Sequence, residues 1–233
     1  MKSTATALLN KLEFPVLIAG LVIAAACWGF VELMEVARAT TPHAFDTEIL
    51  LAFRHAGQPD SPIGPLWLQG AVRDVTALGS SAVLILITTA TIVYLLLIRR
   101  PATALFMFAA VAGGQVLSSV LKLEVDRPRP DLVSHLVNET SLSFPSGHAM
   151  LSAVTYLTLG SLAARFLPDR RTKIFALGLA VLITLLVGLS RVYLGVHWPS
   201  DVLAGWCAGF GWAMLCWLVA RLLQRRKMVA DSE

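Results

Sequence analysis

Apolar residues in this chain come in long, nearly unbroken runs rather than at the three-and-four spacing of a helix with one wet face. A helix that crosses a bilayer needs roughly 20 mostly apolar residues. Six runs reach that scale, from about Phe14 to Val36, Ser80 to Ile98, Ala102 to Leu121, His148 to Leu167, Ile174 to Leu194 and Val202 to Leu223. The pattern predicts an all-α polytopic membrane protein with six transmembrane helices in a bundle. Residues 37–79 form a long connection after the first run. Within it, Pro65 to Leu78 mixes Leu, Trp67 and Val with Arg73-Asp74. It reads as an amphipathic packing segment, with a helix lying in the membrane interface as the second reading.

Composition supports this class. The chain is 56% hydrophobic and 15% charged, with a mean hydropathy of +0.71. An ordinary soluble domain is about a quarter charged, so this one lacks the charge to cover a surface in water. Lys2 and Lys11 before the first run, and Ala37-Arg38-Ala39 after it, imitate a secretory signal. The run is longer than a signal's apolar core, however, and Glu32 and Glu35 precede the apparent cleavage site, so it reads as a retained first helix. Cys27, Cys207 and Cys216 all sit in apolar runs with no metal-ligand or disulfide spacing.

The placement of positive charge sets orientation. Lys2, Lys11, Arg99, Arg100, Arg165, Arg170, Arg171, Lys173, Arg221, Arg225, Arg226 and Lys227 fall on one side, mostly close to run ends. The remaining basic residues, Arg38, Arg54, Arg73, Lys122, Arg127, Arg129 and Arg191, fall on the other. The positive-inside rule makes the first side, with both termini, cytoplasmic.

Three polar clusters then share the outward side. The connection after the third run begins K-L-E-V-D-R-P-R-P and ends F-P-S-G-H; the connection before the sixth reads S-R-V-Y-L-G-V-H-W-P-S-D. Lys122, Arg129 and Arg191 are cations near the hydrocarbon boundary, where they require anions. Arginine's fork of donors suits phosphate. Pro145-Ser146-Gly147 opens a helix whose free N–H groups and positive dipole end make an anion site. Asp201 falls in the first turn of the sixth helix, four residues after His197, and could reach back to one ring nitrogen, leaving the other as nucleophile or base. His148, on a different element, could protonate a leaving oxygen. His43, His55 and His135 read as structural. Arg127 reads as a local pair with Asp126 or as facing water.

The motifs resemble a known family. Lys122 with Arg129-Pro130 fits K-x6-R-P, Pro145 to His148 fits P-S-G-H, and Ser190-Arg191 through His197 to Asp201 fits S-R-x5-H-x3-D. Together they resemble the signature of the type 2 phosphatidic acid phosphatase superfamily, which includes membrane lipid phosphatases, glucose-6-phosphatase and vanadium haloperoxidases. The motifs cover about residues 122–201, within one integral membrane domain over residues 1–233.

The resemblance implies that His197 attacks phosphorus to give a phosphohistidine, that Asp201 orients it, and that His148 is the acid. Lys122, Arg129, Arg191 and the backbone at Ser146 and Gly147 would hold the phosphate oxygens. It implies no metal and no other cofactor. The expected partners are a membrane lipid phosphate and the bilayer, with no nucleic acid and the oligomeric state open. The expected location is the bacterial cytoplasmic membrane, with the site facing outward. Undecaprenyl pyrophosphate leads as substrate because outward orientation suits its recycling. Phosphatidylglycerol phosphate and phosphatidic acid are alternatives. A non-catalytic lipid-phosphate binder or transporter is the rival class, although it would not need two histidines and an aspartate.

Overall fold

The computed structural model describes residues 2–230, with side chains from 14 to 224. Helix α1 is Lys2–Arg38 and α2 is Ala44–Ala52. Strands β1 (Arg54–His55) and β2 (Gln58–Pro62) pair as an antiparallel hairpin. Helices α3 (Leu66–Ala77), α4 (Ser81–Leu97), α5 (Pro101–Lys122), α6 (Gly147–Phe166), α7 (Arg170–Tyr193) and α8 (Pro199–Ala230) follow. Phe14–Arg38, Pro101–Lys122, Gly147–Phe166, Arg170–Tyr193 and Pro199–Gln224 are each long and apolar enough to cross a membrane. The pair α3 and α4, bent by 47° at its break, makes a sixth span if counted as one. All six expected runs therefore coincide with helices of the bundle. Lys2, Lys11, Arg225, Arg226 and Lys227, used in the charge count, lie outside the residues whose side chains are described.

Local chemistry sets the helix starts. Ser80, Ser146 and Asp169 cap α4, α6 and α7 by accepting hydrogen bonds from backbone N–H groups of the first turn. Proline stands at the first position of α5 and of α8, where no N–H is required.

Helix α6 is the centre of the bundle. Of its spanning window 61% is buried, against 11% for α1, 22% for α7 and 28% for α5 and α8. It packs against α4, α5, α7 and α8, while α1 rests on α8 and turns Phe14, Leu17, Leu21 and Trp28 outward. Apolar solvent gives little drive for apolar faces to associate, so close packing of small residues does that work. On α6 these are Ala149, Ser152, Ala153 and Gly160. On α8 they are Gly205 and Gly209, one turn apart: a Cβ added at Gly205 would lie 2.7 Å from the Ser146 carbonyl oxygen, and one at Gly209 would meet the Met150 carbonyl.

The segment between α1 and α4 folds over one end of the bundle. Helix α3 packs on α7, with Leu68 and Val72 against Tyr193, Leu194 and Val196, and leaves Leu66 and Trp67 exposed. It is a packing helix with an apolar tip turned outward. Helix α2 and the hairpin are additions to the expected all-α layout. Because α5 and α7 end where α6 and α8 begin, Lys122, Arg191, His148 and Asp201 meet at this same end.

Replacing Gly205 or Gly209 with alanine should drive α8 away from α6 and cost about 1–3 kcal/mol. Gly178→Ala, which meets nothing within 4 Å, should not destabilise the fold. Thermal melts in one detergent check this; equal midpoints for all three variants would exclude a backbone contact between α6 and α8.

Candidate active site

A cavity of about 290 Å³ opens at this end of the bundle. Helix α5 supplies Gln115, Ser118, Ser119 and Lys122, and the α5–α6 connection supplies Arg129, Glu139 and Ser141. Gly147, His148 and Leu151 come from α6, Gly79 and Ser81 from the start of α4, and His197 from the α7–α8 connection. Of the eight residues expected from sequence, Lys122, Arg129, Gly147, His148 and His197 line the cavity. Ser146, Arg191 and Asp201 lie behind its wall, all nearly or fully buried.

The local fold around His197 begins with the start of α8. Pro199 places Asp201 in the first turn, where its carboxylate turns back and accepts the Trp198 N–H at 2.9 Å. The same oxygen accepts the Ser143 hydroxyl at 2.5 Å and lies 3.5 Å from His197 Nδ1. At that length the His197–Asp201 contact is longer than a tight hydrogen bond. With Nδ1 on the aspartate side, Nε2 is the nitrogen left for chemistry, and it lies 3.3 Å from Arg129 Nη1. Burial lowers the His197 pKa to about 4, and Arg129 and Arg191 add to that against the pull of Asp201. The imidazole is therefore neutral at pH 7 and able to act as a nucleophile.

The cations differ in what they touch. Among the described residues, Lys122 Nζ meets only neutral groups, the Ser141 hydroxyl at 3.1 Å and the Leu142 carbonyl at 3.4 Å. Arg129 is tied to the Ser141 and Val196 carbonyls at 2.8 and 2.5 Å and lies 3.7 Å from Glu139. Arg191 pairs with Glu139 and donates to Thr76 at 3.1 Å, while its buried Nε has no partner among the described residues. Glu139 thus stands between two of the three cations expected to take phosphate. Burial raises its pKa, but Arg191 beside it, with His148 and Arg129, holds the carboxyl below the usual range. Glu139 was not singled out from sequence; a lone acid in a polar loop carries no pattern.

Two expectations need correction. The Ser146 N–H donates to the Asp201 carbonyl at 3.0 Å, so it is committed to joining α6 to α8. The amides of Gly147 and His148, first in α6, are the ones with no carbonyl a turn earlier to accept them. Arg127 neither pairs with Asp126 nor faces water. It is 6% exposed, contacts Asp201 at 2.5 Å and Asp46 at 2.7 Å, and lies over the Trp198 ring. Among the other histidines, His43 caps α2 and His135 contacts the Pro130 carbonyl, which are local structural roles. Among the described residues, no group of three or more His, Cys, Asp or Glu is arranged to hold a metal ion.

A spanning helical bundle with a histidine- and cation-lined cavity at one end defines a class, multi-pass membrane proteins with a site suited to an anion. Residues 103–225 match the family model described as PAP2 superfamily, and the chain belongs to that family. Phosphatidylglycerophosphatase B of Bacillus subtilis (strain 168) is 36% identical over 145 residues, covering 61% of this chain and 70% of that protein. An undecaprenyl-diphosphatase of Sulfolobus acidocaldarius is 40% identical over 70 residues, covering 30% of each. The crystal structure of the transmembrane PAP2 type phosphatidylglycerolphosphate phosphatase from Bacillus subtilis superposes with a TM-score of 0.75. It is 30% identical, and the match covers 83% of this chain and 93% of that one.

Histidine titration followed by NMR tests the electrostatics. Unfolded histidine titrates near 6.5, so a folded value near 4 means that His197 contributes stability above about pH 6.5 that is lost as pH falls toward 4. The signal absent from His197→Asn should stay neutral from pH 7.5 to 5.5; a midpoint at 6 or above would contradict the buried, cation-flanked ring.

Proposed function

We propose that this chain hydrolyses the phosphate of a membrane lipid through a phosphohistidine at His197. The observation that carries this reading is the placement of His197, with Asp201 behind its Nδ1, on a cavity lined by Lys122, Arg129 and the α6 N-terminus. Nε2 attacks phosphorus as the bond to the lipid oxygen breaks. His148, on the cavity wall, gives that oxygen a proton. Lys122, Arg129 and the Gly147 and His148 amides hold the other oxygens, where transition-state charge gathers. Arg191 serves from behind Glu139, whose carboxylate the phosphate would replace. Asp201 stabilises the positive charge on the phosphorylated ring; water then gives a proton back to His148 as it attacks phosphorus, and the bond from phosphorus to Nε2 breaks to release phosphate and restore His197.

The first substrate proposed is phosphatidylglycerolphosphate, since the relative and the solved structure with broad coverage are named for it. This displaces undecaprenyl pyrophosphate as the leading reading. The diphosphate stays second because the Sulfolobus relative is 40% identical across its matched segment. The chain acts as one membrane domain, and the charge distribution supports a site facing outward from a bacterial cytoplasmic membrane.

His197→Ala should lower phosphate release by at least about a thousandfold while lipid binding persists. Normal release by that variant would exclude the mechanism. A panel of phosphatidylglycerolphosphate, undecaprenyl pyrophosphate, phosphatidic acid and glucose 6-phosphate ranks substrates, and greatest kcat/KM on the soluble sugar would reject the lipid reading. Activity should persist in EDTA. Topology reporters fused at Glu233 and within residues 130–140 should report opposite sides of the membrane, the first cytoplasmic.

A further inference from the structure

We propose that Asp46 is a positioning residue for the reaction, acting through Arg127 on Asp201. The inference rests on the reading that Asp201 serves a nucleophilic His197. Asp46 belongs to α2, far from every motif in sequence, and it is fully buried. One carboxylate oxygen accepts the Ser200 N–H at 2.8 Å. The other accepts the Ser200 hydroxyl at 2.6 Å and pairs with Arg127 at 2.7 Å. Arg127 spends its other terminal nitrogen on Asp201 at 2.5 Å and on the Ser200 hydroxyl at 2.8 Å.

The arrangement does two things. The Ser200 contacts pin the first turn of α8 and so fix the direction of the Asp201 carboxylate. The charge arrangement matters more. A lone buried guanidinium on Asp201 would neutralise it and weaken its hold on the His197 ring. Two carboxylates share one guanidinium here, so the Asp46–Arg127–Asp201 group keeps a net negative charge. That charge is what the ring requires when phosphorylation at Nε2 makes it cationic. If Asp46 served only to fasten α2 to the bundle, a polar group of the same shape would suffice.

The test compares native enzyme, Asp46→Asn, Arg127→Gln, the double variant and His197→Ala in one detergent. Phosphate release from phosphatidylglycerolphosphate and the rate of phosphoenzyme formation are measured per folded molecule. Asp46→Asn is expected to lower kcat by 10–100-fold with KM changed less than threefold, and to slow phosphoenzyme formation in parallel. The His197 titration midpoint should fall further, since Asp201, Arg129 from the connection, Arg191 from α7 and His148 from α6 are the charged or titratable groups that face it. A lower melting temperature with kcat and titration unchanged would overturn the proposal and leave Asp46 as a fastening. Should Asp46→Asn fail to fold, the double variant decides, because it removes one charge of each sign. Its net negative charge equals that of the native group, so a kcat within threefold of native supports the charge role, and a kcat lowered 10-fold or more overturns it. An active His197→Ala overturns both this proposal and the function beneath it. An inactive His197→Ala beside a native-like Asp46→Asn overturns this proposal alone.

Discussion

The site depends on one close approach, that of α6 to α8 at the ends where both helices begin. The Ser146 N–H reaches the Asp201 carbonyl at 3.0 Å, and Gly205 and Gly209 let the backbones meet just below. Two helix N-termini side by side concentrate positive potential at one spot. In water that would be a small matter. At the edge of a hydrocarbon layer it is a standing demand for anions.

Several features of the fold answer that demand. Asp201 and Asp46 sit beside the start of α8 and balance Arg127. Glu139 sits between Arg129 and Arg191. Among the described residues, Lys122 and the first amides of α6 contact no carboxylate, and Lys122, Gly147 and His148 line the cavity. The positive groups that contact no carboxylate among the described residues thus lie where a phosphate would. The same excess of positive groups, together with burial, keeps His197 neutral. One electrostatic arrangement therefore both favours an anion in the cavity and holds the His197 ring uncharged.

The spans were legible in the sequence because hydrocarbon demands long apolar runs, and nothing else in a chain looks like them. The motif residues were legible because helix ends bring short-range spacings to one surface: His197 and Asp201 are four apart and cross a helix start. Arg127 was misread for the converse reason. Its partners are Asp46, 81 residues earlier, and Ser200 and Asp201, 73 and 74 residues later, and no periodicity links such positions. Ser146 was assigned a free amide because a helix start normally has one; that a second helix consumes it is a fact of tertiary packing. Glu139 and Ser143 lie in an irregular connection whose path the sequence does not dictate.

The cavity's dimensions bear on why one family handles several lipids. About 290 Å³ is room for a phosphate and a few neighbouring atoms, not for an acyl or isoprenoid chain. Its lining is mixed, with Lys122, Ser118 and Gln115 descending one face of α5 and Leu151 beside them on α6. Gln115 and Ser119 are exposed on α5, a spanning helix, so the cavity opens toward the region that lipid occupies. The phosphoryl group then meets protein while the tail stays with the bilayer. Little tail selectivity can arise within such a pocket. The groups that line the cavity toward its lipid-facing side are Ser118, Ser119 and Gln115, which would meet the atoms next to a bound phosphate rather than a tail. The relatives, named for a glycerol-linked monophosphate and for an isoprenoid diphosphate, differ in those atoms.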